Sequence, residues 1–146
     1  MPDYPARLSH TVPGWVNRGA IYHIRIRAKP DSPFPLTNES IARSLLDSAR
    51  RYHTDARWYC LLFLLMPDHL HALLAFPPEQ CVSDIIGGWK RFQARQNGLH
   101  WQENYFDHRI RDARQLEEKA AYIRRNPVVK NLCATESDWP WVVACV

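Results

Sequence analysis

Apolar positions along this chain fall into short β-like runs separated by proline- or glycine-rich breaks, with helical spacing in three longer stretches. Ala20 to Arg27 mixes Ile21, Ile24 and Ile26 with Tyr22, His23 and Arg25, a β-branched and aromatic composition that predicts a first strand. His23, Arg25 and Arg27 alternate and therefore share one of its faces. Pro30, Pro33 and Pro35 make Lys29 to Leu36 a loop, because each removes a backbone donor and fixes φ. Thr37 or Asn38 then offers a cap for a helix to about His53, with Ile41, Leu45, Leu46 and Ala49 as one stripe.

Trp58 to Leu65 is apolar throughout, a second apolar run begins at His69, and Met66-Pro67-Asp68 between them suits a tight turn. These features predict an antiparallel hairpin from Arg57 to Phe76. Its first strand would place Trp58, Cys60, Leu62 and Leu64 on one face and Tyr59, Leu61, Phe63 and Leu65 on the other, as in a central strand covered on both sides. Pro77 and Pro78 end the second strand, and Ser83 can cap a helix whose stripe is Ile85, Ile86, Trp89 and Phe92. Gly87 and Gly88 each weaken that helix by roughly 1 kcal/mol relative to alanine; a close approach to another backbone or to a ligand would explain them, and so would drift.

A last strand is expected within Trp101 to Arg111, around Tyr105, Phe106 and Ile110. Asp112 and Gln115 resemble a capping box for a final helix from Ala113 to about Asn126, since Pro127 biases its predecessor out of helical geometry. Leu116, Ala120 and Ile123 form the core stripe of this helix, and Tyr122 falls off it, beside Lys119 and Asn126. The order strand, helix, two strands, helix, strand is that of an α+β, ferredoxin-like antiparallel sheet with helices on one face, followed here by a C-terminal helix carrying the tyrosine. Residues 1–146 are read as a single domain, with 1–19 an irregular arm and 128–146 a short tail packed over the rest.

Composition narrows the function classes. With 46% hydrophobic and 23% charged residues over 146 positions, the chain has a globular composition rather than a disordered one. No apolar run reaches the roughly 18 residues that span a bilayer, and the first residues lack a leader pattern, so a cytoplasmic location without membrane contact is expected. The four cysteines are widely separated with no Cys-x-x-Cys pair, and free thiols are expected. The net charge of +4 is unevenly placed: residues 86–130 hold ten Lys or Arg against five acids, interleaved with Trp89, Phe92, Trp101, Tyr105 and Phe106. Cations with rings suit a polyanion that carries stackable bases, although a solvated helix face over core aromatics gives the same pattern. Lys90, Arg91, Arg95, Arg124 and Arg125 are the candidate phosphate contacts.

His69 and His71 project from one strand face while Leu70, Ala72 and Leu74 point to the other, so the pair can hold a metal ion. Two polar positions on a half-exposed strand would read the same way. Tyr122 and Asn126 are neighbours on a helix; if that face lies over the histidines, Asn126 can complete a metal site while Tyr122 attacks a phosphodiester polarised by the cation. A zinc site using His69, His71 and Cys60 or Cys81 is the competing metal reading, and Tyr105 the competing nucleophile.

Several stretches carry a resemblance. Met66-Pro67-Asp68-His69-Leu70-His71 resembles a Met-Pro-Asn-His-hydrophobic-His motif, and Trp101-Gln102 with Tyr105-Phe106-Asp107-His108-Arg109-Ile110-Arg111 resembles a Trp-Gln and Tyr-aromatic-Asp-x-x-Ile-Arg block. Tyr122-Ile123-Arg124-Arg125-Asn126-Pro127-Val128 is similar to a Tyr-Ile-x-x-Asn-Pro-Val block, and Trp139-Pro140-Trp141 to a Trp/Tyr-Pro-Trp/Phe tail. Together they resemble the HUH single-tyrosine transposases, in the REP-associated tyrosine transposase branch. The resemblance implies a ferredoxin-like nuclease domain acting on single-stranded DNA near a REP-like hairpin, as a monomer or a homodimer. It implies His69, His71 and Asn126 as ligands of Mg²⁺ or Mn²⁺, and Tyr122 as the nucleophile that becomes joined to a 5′ phosphate. A domesticated, non-cleaving protein that binds structured nucleic acid is the alternative. Asp68 stands where asparagine is frequent, a departure expected to be harmless, and the Pro-rich loop after the first strand replaces a frequent Arg-Gly-Asn turn.

Overall fold

The computed structural model describes residues 20–145; the arm expected over residues 1–19 lies outside them. Among the described residues, β1 (Ile21–Arg27), β2 (Tyr59–Leu65), β3 (His69–Ala75), β4 (Phe106–Arg109) and β5 (Val142–Val143) form one antiparallel sheet in the order β4-β1-β3-β2-β5. The helices are α1 (Glu39–Thr54), α2 (Val82–Asn97) and α3 (Ala113–Val129). The first four strands with α1 and α2 are the expected ferredoxin-like α+β arrangement. Leu45 and Ala49 of α1, with Ile86 and Trp89 of α2, bury one sheet face against Ile24, Ile26, Leu70 and Leu74. On the other face, Leu116 and Ile123 of α3 pack on Leu62, Leu64 and Leu73.

The helix starts follow their capping residues in two cases. Asn38 accepts a hydrogen bond from Ile41 N at 3.2 Å, and Asp112 accepts one from Gln115 N at 2.8 Å, while Gln115 reaches back to Arg111 N at 2.8 Å. At α2 the expectation fails: Cys81 occupies the cap position without a capping bond, and Ser83 lies inside the helix with its hydroxyl 3.1 Å from the Cys81 sulfur. A side chain added at Gly87 would meet only the flexible guanidinium of Arg91, so no close backbone approach requires that glycine.

Three further differences have local causes. A bulge between Cys60 and Leu62 breaks the alternation of β2, so Trp58, Cys60, Phe63 and Leu65 face α1 and α2, whereas Tyr59, Leu62 and Leu64 face α3. The last strand is shorter than expected because Trp101 turns into the core and donates its indole N–H to Lys90 O at 3.0 Å, making only a single bridge with Ala28. Pro127 lies within α3 rather than after it. The ring removes one backbone bond near the helix end, but burial of Ile123, Asn126 and Pro127 holds the turn, and Leu132 N donates to Pro127 O at 2.9 Å. Asn126 thus stays in helical register with Tyr122.

The tail packs on the sheet: β5 pairs with β2, and Trp139 donates its indole N–H to Leu65 O at 3.0 Å. No helix among the described residues is long and apolar enough to cross a membrane.

Candidate functional site

β3 lies between β1 and β2 and is buried along its whole length, so the side chains of His69 and His71 start from a backbone bonded on both edges. On their face of the sheet, α3 leaves a cavity of about 490 Å³ lined by Arg25, Arg27, Asp68, His69, His71, Tyr122, Asn126 and Lys130. Ile123 is buried against the sheet, which turns the preceding Tyr122 sideways; its ring stands edge-on to His71 with centroids 6.0 Å apart, and 55% of the residue is exposed. Asn126, one turn on, is 8% exposed and lies below it, with Nδ2 3.0 Å from His71 Nε2.

The imidazoles are held from behind. His69 Nδ1 lies 2.6 Å from Asp68 Oδ1, and His71 Nδ1 lies 3.0 Å from His23 Nε2, with the His23 and His71 rings stacked at 5.2 Å. A neutral His69 that donates through Nδ1 presents a lone pair at Nε2. His71 Nε2, facing an amide group that can only donate, does the same. These two nitrogens are 3.2 Å apart and face one another. Two lone pairs at this distance repel unless a cation stands between them, so the two imidazoles fit a metal ion, and Asn126 would add a third donor once its amide turned its oxygen, in place of the nitrogen that faces His71, toward the cation. Partners on the outer nitrogens are what ligating histidines ordinarily have. Among the described residues, no group of three or more His, Cys, Asp or Glu side chains could hold a metal ion. The zinc reading loses its cysteines, since Cys60 is buried in the core on the opposite sheet face and Cys81 begins α2.

Burial lowers the pKa of all three histidines. His71 falls to about 3 through burial, then the neighbouring His69 and His23; His23 falls to about 4 through burial, then Lys119 and Arg25. His69 is lowered less because the Asp68 carboxylate opposes the cost of burial, and that hydrogen bond also lowers Asp68. Asp68 is therefore more than a harmless variant of asparagine: it is an anionic partner for a candidate ligand. His23 Nδ1 is buried without a hydrogen-bond partner. In the tautomer that lets His71 Nδ1–H donate to His23, this atom carries an unsatisfied proton, at a cost of about 1–3 kcal/mol.

A pH dependence follows for the metal-free protein. The unfolded chain takes up protons at His23 and His71 below about 6.5, where the folded chain refuses them, so the full stability is present above that pH and is lost as pH falls toward 4. Urea unfolding in the presence of a chelator should give a lower midpoint at pH 5 than at pH 7.5. An unchanged midpoint would contradict the burial of neutral imidazoles.

The basic residues divide between the two layers. Arg124 and Arg125 are exposed on α3, beside Tyr122. Arg91 and Arg95 are exposed on α2, the helix on the opposite face of the sheet. Lys90 is misplaced as a phosphate contact: it is buried, and its ammonium donates to Gln102 O at 2.8 Å and Glu103 O at 3.1 Å, tying α2 to the next loop. Burial lowers its pKa. Tyr105 packs against the core shared with α1 and α2, away from the cavity. The residues that do line the cavity, Arg25 and Arg27, were readable as an alternating basic face of β1, whereas Lys130 had no signal separating it from other surface lysines.

A family model described as Transposase IS200 like matches residues 18–126. A REP-associated tyrosine transposase of Escherichia coli K12 is 26% identical, with the match covering 54% of this chain and 50% of the relative. A Haemophilus influenzae protein assigned to the same group is also 26% identical, over 53% of each chain. The chain spans about half the length of the curated relatives it matches. A solved structure described as a REP-associated tyrosine transposase bound to a REP hairpin superposes with a TM-score of 0.73 at 18% identity, over 97% of this chain and 82% of that one. This last match is a likeness of fold.

Proposed function

Since the chain belongs to the IS200-like family of transposases, and its relatives bear out the resemblance to the REP-associated tyrosine branch, we propose that it nicks and rejoins single-stranded DNA beside hairpins through a 5′-phosphotyrosine intermediate. The observation that carries this reading is the meeting of Tyr122, His69, His71 and Asn126 at one cavity. His69 and His71 would offer lone pairs, and Asn126 its amide oxygen after the amide turns over, to a divalent cation, Mg²⁺ or Mn²⁺. Such a cation supplies Lewis-acid polarisation of the scissile phosphate. The Tyr122 hydroxyl oxygen attacks phosphorus and gives up its proton to solvent, the bond to the 3′ oxygen breaks, and that oxygen takes a proton from solvent and leaves as a 3′ hydroxyl. Attack by another 3′ hydroxyl on the phosphotyrosine reverses the step and rejoins the strand.

Arg25, Arg27 and Lys130 line the cavity where the phosphates would lie. Phe106, 42% exposed on the β4 edge, packs beneath the Arg25 guanidinium at 4.9 Å and offers a ring for base stacking. The test is incubation with hairpin-bearing single-stranded DNA in Mg²⁺, in Mn²⁺ and in chelator, followed by denaturing electrophoresis. A metal-dependent covalent adduct on the 5′ side of the break is expected. Binding without an adduct in either metal would instead identify a non-cleaving nucleic-acid-binding protein.

The same reading separates the two basic layers. Arg25→Ala with Arg27→Ala should weaken single-strand binding more than Arg91→Ala with Arg95→Ala. It should also reduce the slope of log affinity against log salt by about 0.7 for each phosphate contact removed. Equal effects from both pairs would move the DNA track away from the cavity.

A further inference from the structure

Cys60 and Cys145 are far apart in sequence and adjacent in space. The bulge in β2 shifts the pairing with the chain beyond β5, so that Cys145 N donates to Cys60 O at 3.3 Å. That single bond holds the two residues on neighbouring antiparallel segments, where facing Cα atoms lie about 4.5–5.5 Å apart, within the span a disulfide bridges. The two thiols are near enough that each shifts the other's pKa.

The two thiols are unequal. Cys60 is fully buried, and its interaction with the Cys145 thiol followed by burial raises its pKa well above the ordinary thiol value. Cys145 is half-buried at the end of the described chain, and the same interaction lowers it to about 7. The outer sulfur is thus an accessible thiolate near neutral pH, and the inner one is a resolving thiol in contact with it.

We propose that Cys60 and Cys145 form a reversible intramolecular disulfide when the protein meets a small-molecule disulfide such as oxidised glutathione. The Cys145 thiolate attacks one glutathione sulfur, forming a mixed disulfide and releasing the first glutathione thiolate, which takes a proton from water. Cys60 then loses its proton to solvent and attacks the Cys145 sulfur, expelling the second glutathione thiolate, which is protonated in turn. Two protein thiols are oxidised and one glutathione disulfide is reduced to two thiols.

The bond would fasten β5 to β2. Leu65 at the other end of β2 is already joined to this tail, donating its N–H to Trp141 O at 2.9 Å and accepting from the Trp139 indole at 3.0 Å. Leu65 immediately precedes the turn that carries Asp68 and His69, so the modification would stiffen the support beneath the hairpin without touching the candidate site.

The full chain is incubated with oxidised glutathione at pH 8, alkylated, digested and examined by mass spectrometry, alongside a dithiothreitol-treated control. A Cys60–Cys145 linked peptide is expected, with the exposed Cys81 alkylated or carrying glutathione but not linked to another cysteine, and Tm shifted upward by several degrees relative to the reduced protein. Cys145→Ser should remove both the link and the shift, whereas Cys81→Ser should leave both. The proposal is overturned if Cys145 stops at the glutathione adduct with Cys60 alkylated, if links join other cysteines instead, or if neither thiol reacts.

Discussion

Tyr122→Phe is expected to bind hairpin-bearing single-stranded DNA as the wild type does and to form no covalent adduct with it. The ring is more than half exposed and meets His71 only edge-on, so removing its hydroxyl leaves the packing of α3 intact. That packing rests on Leu116 and Ile123. What disappears is the atom that attacks in the proposed cleavage step, so cleavage should fall by at least about three orders of magnitude, as for loss of a covalent nucleophile. Tyr105→Phe serves as the control, because Tyr105 packs on the other side of the sheet and should keep full adduct yield. Denaturing electrophoresis of labelled DNA reads both variants. An adduct that survives Tyr122→Phe, or is lost with Tyr105→Phe, would defeat the assignment of the nucleophile.

His71→Ala should cost nearly as much by another route. His71 is 2% exposed and lies within hydrogen-bonding distance of His23, His69 and Asn126, so its loss removes one proposed donor and the common partner of the other groups. Mn²⁺ affinity, read by calorimetry, and cleavage at fixed Mn²⁺ should each fall by on the order of a hundredfold or more, beyond what loss of an outer partner usually costs. Circular dichroism separates this from unfolding: α1, α2 and their core lie on the opposite face and should persist. Unaltered Mn²⁺ affinity in a folded His71→Ala protein would remove His71 from the metal site.

Much of the architecture was legible because it rests on local rules. Alternation set the faces of β1 and β3, so Ile24, Ile26, Leu70 and Leu74 point to the helices while His23, Arg25, His69 and His71 share the other side. Asn38 and Asp112 stand at the caps their chemistry suits. The misreadings came where tertiary contacts outweighed local preference. Nothing in the uniformly apolar run Tyr59 to Leu65 marks which residue bulges, yet the bulge decides which side Leu62, Phe63 and Leu64 cover. Pro127 costs its helix the bond to the Ile123 carbonyl, and the burial of Ile123, Asn126 and Pro127 offsets that loss.

The sequence by itself determined which side chains could do chemistry and how each is aimed from its own element: two imidazoles on one strand face, and a tyrosine and an asparagine one helical turn apart. Only the tertiary structure decided that these elements face each other. The packing of α3 across the sheet brings Tyr122 and Asn126 over His71, more than fifty residues back along the chain. It also decided which cations join them. Arg25 and Arg27 reach the cavity because β1 is hydrogen-bonded beside β3, whereas Lys90, equally basic in sequence, is drawn under its own helix to satisfy two loop carbonyls. Charge along a chain carries no record of such placement, because it depends on which sheet face each helix covers and on which buried carbonyls need a donor.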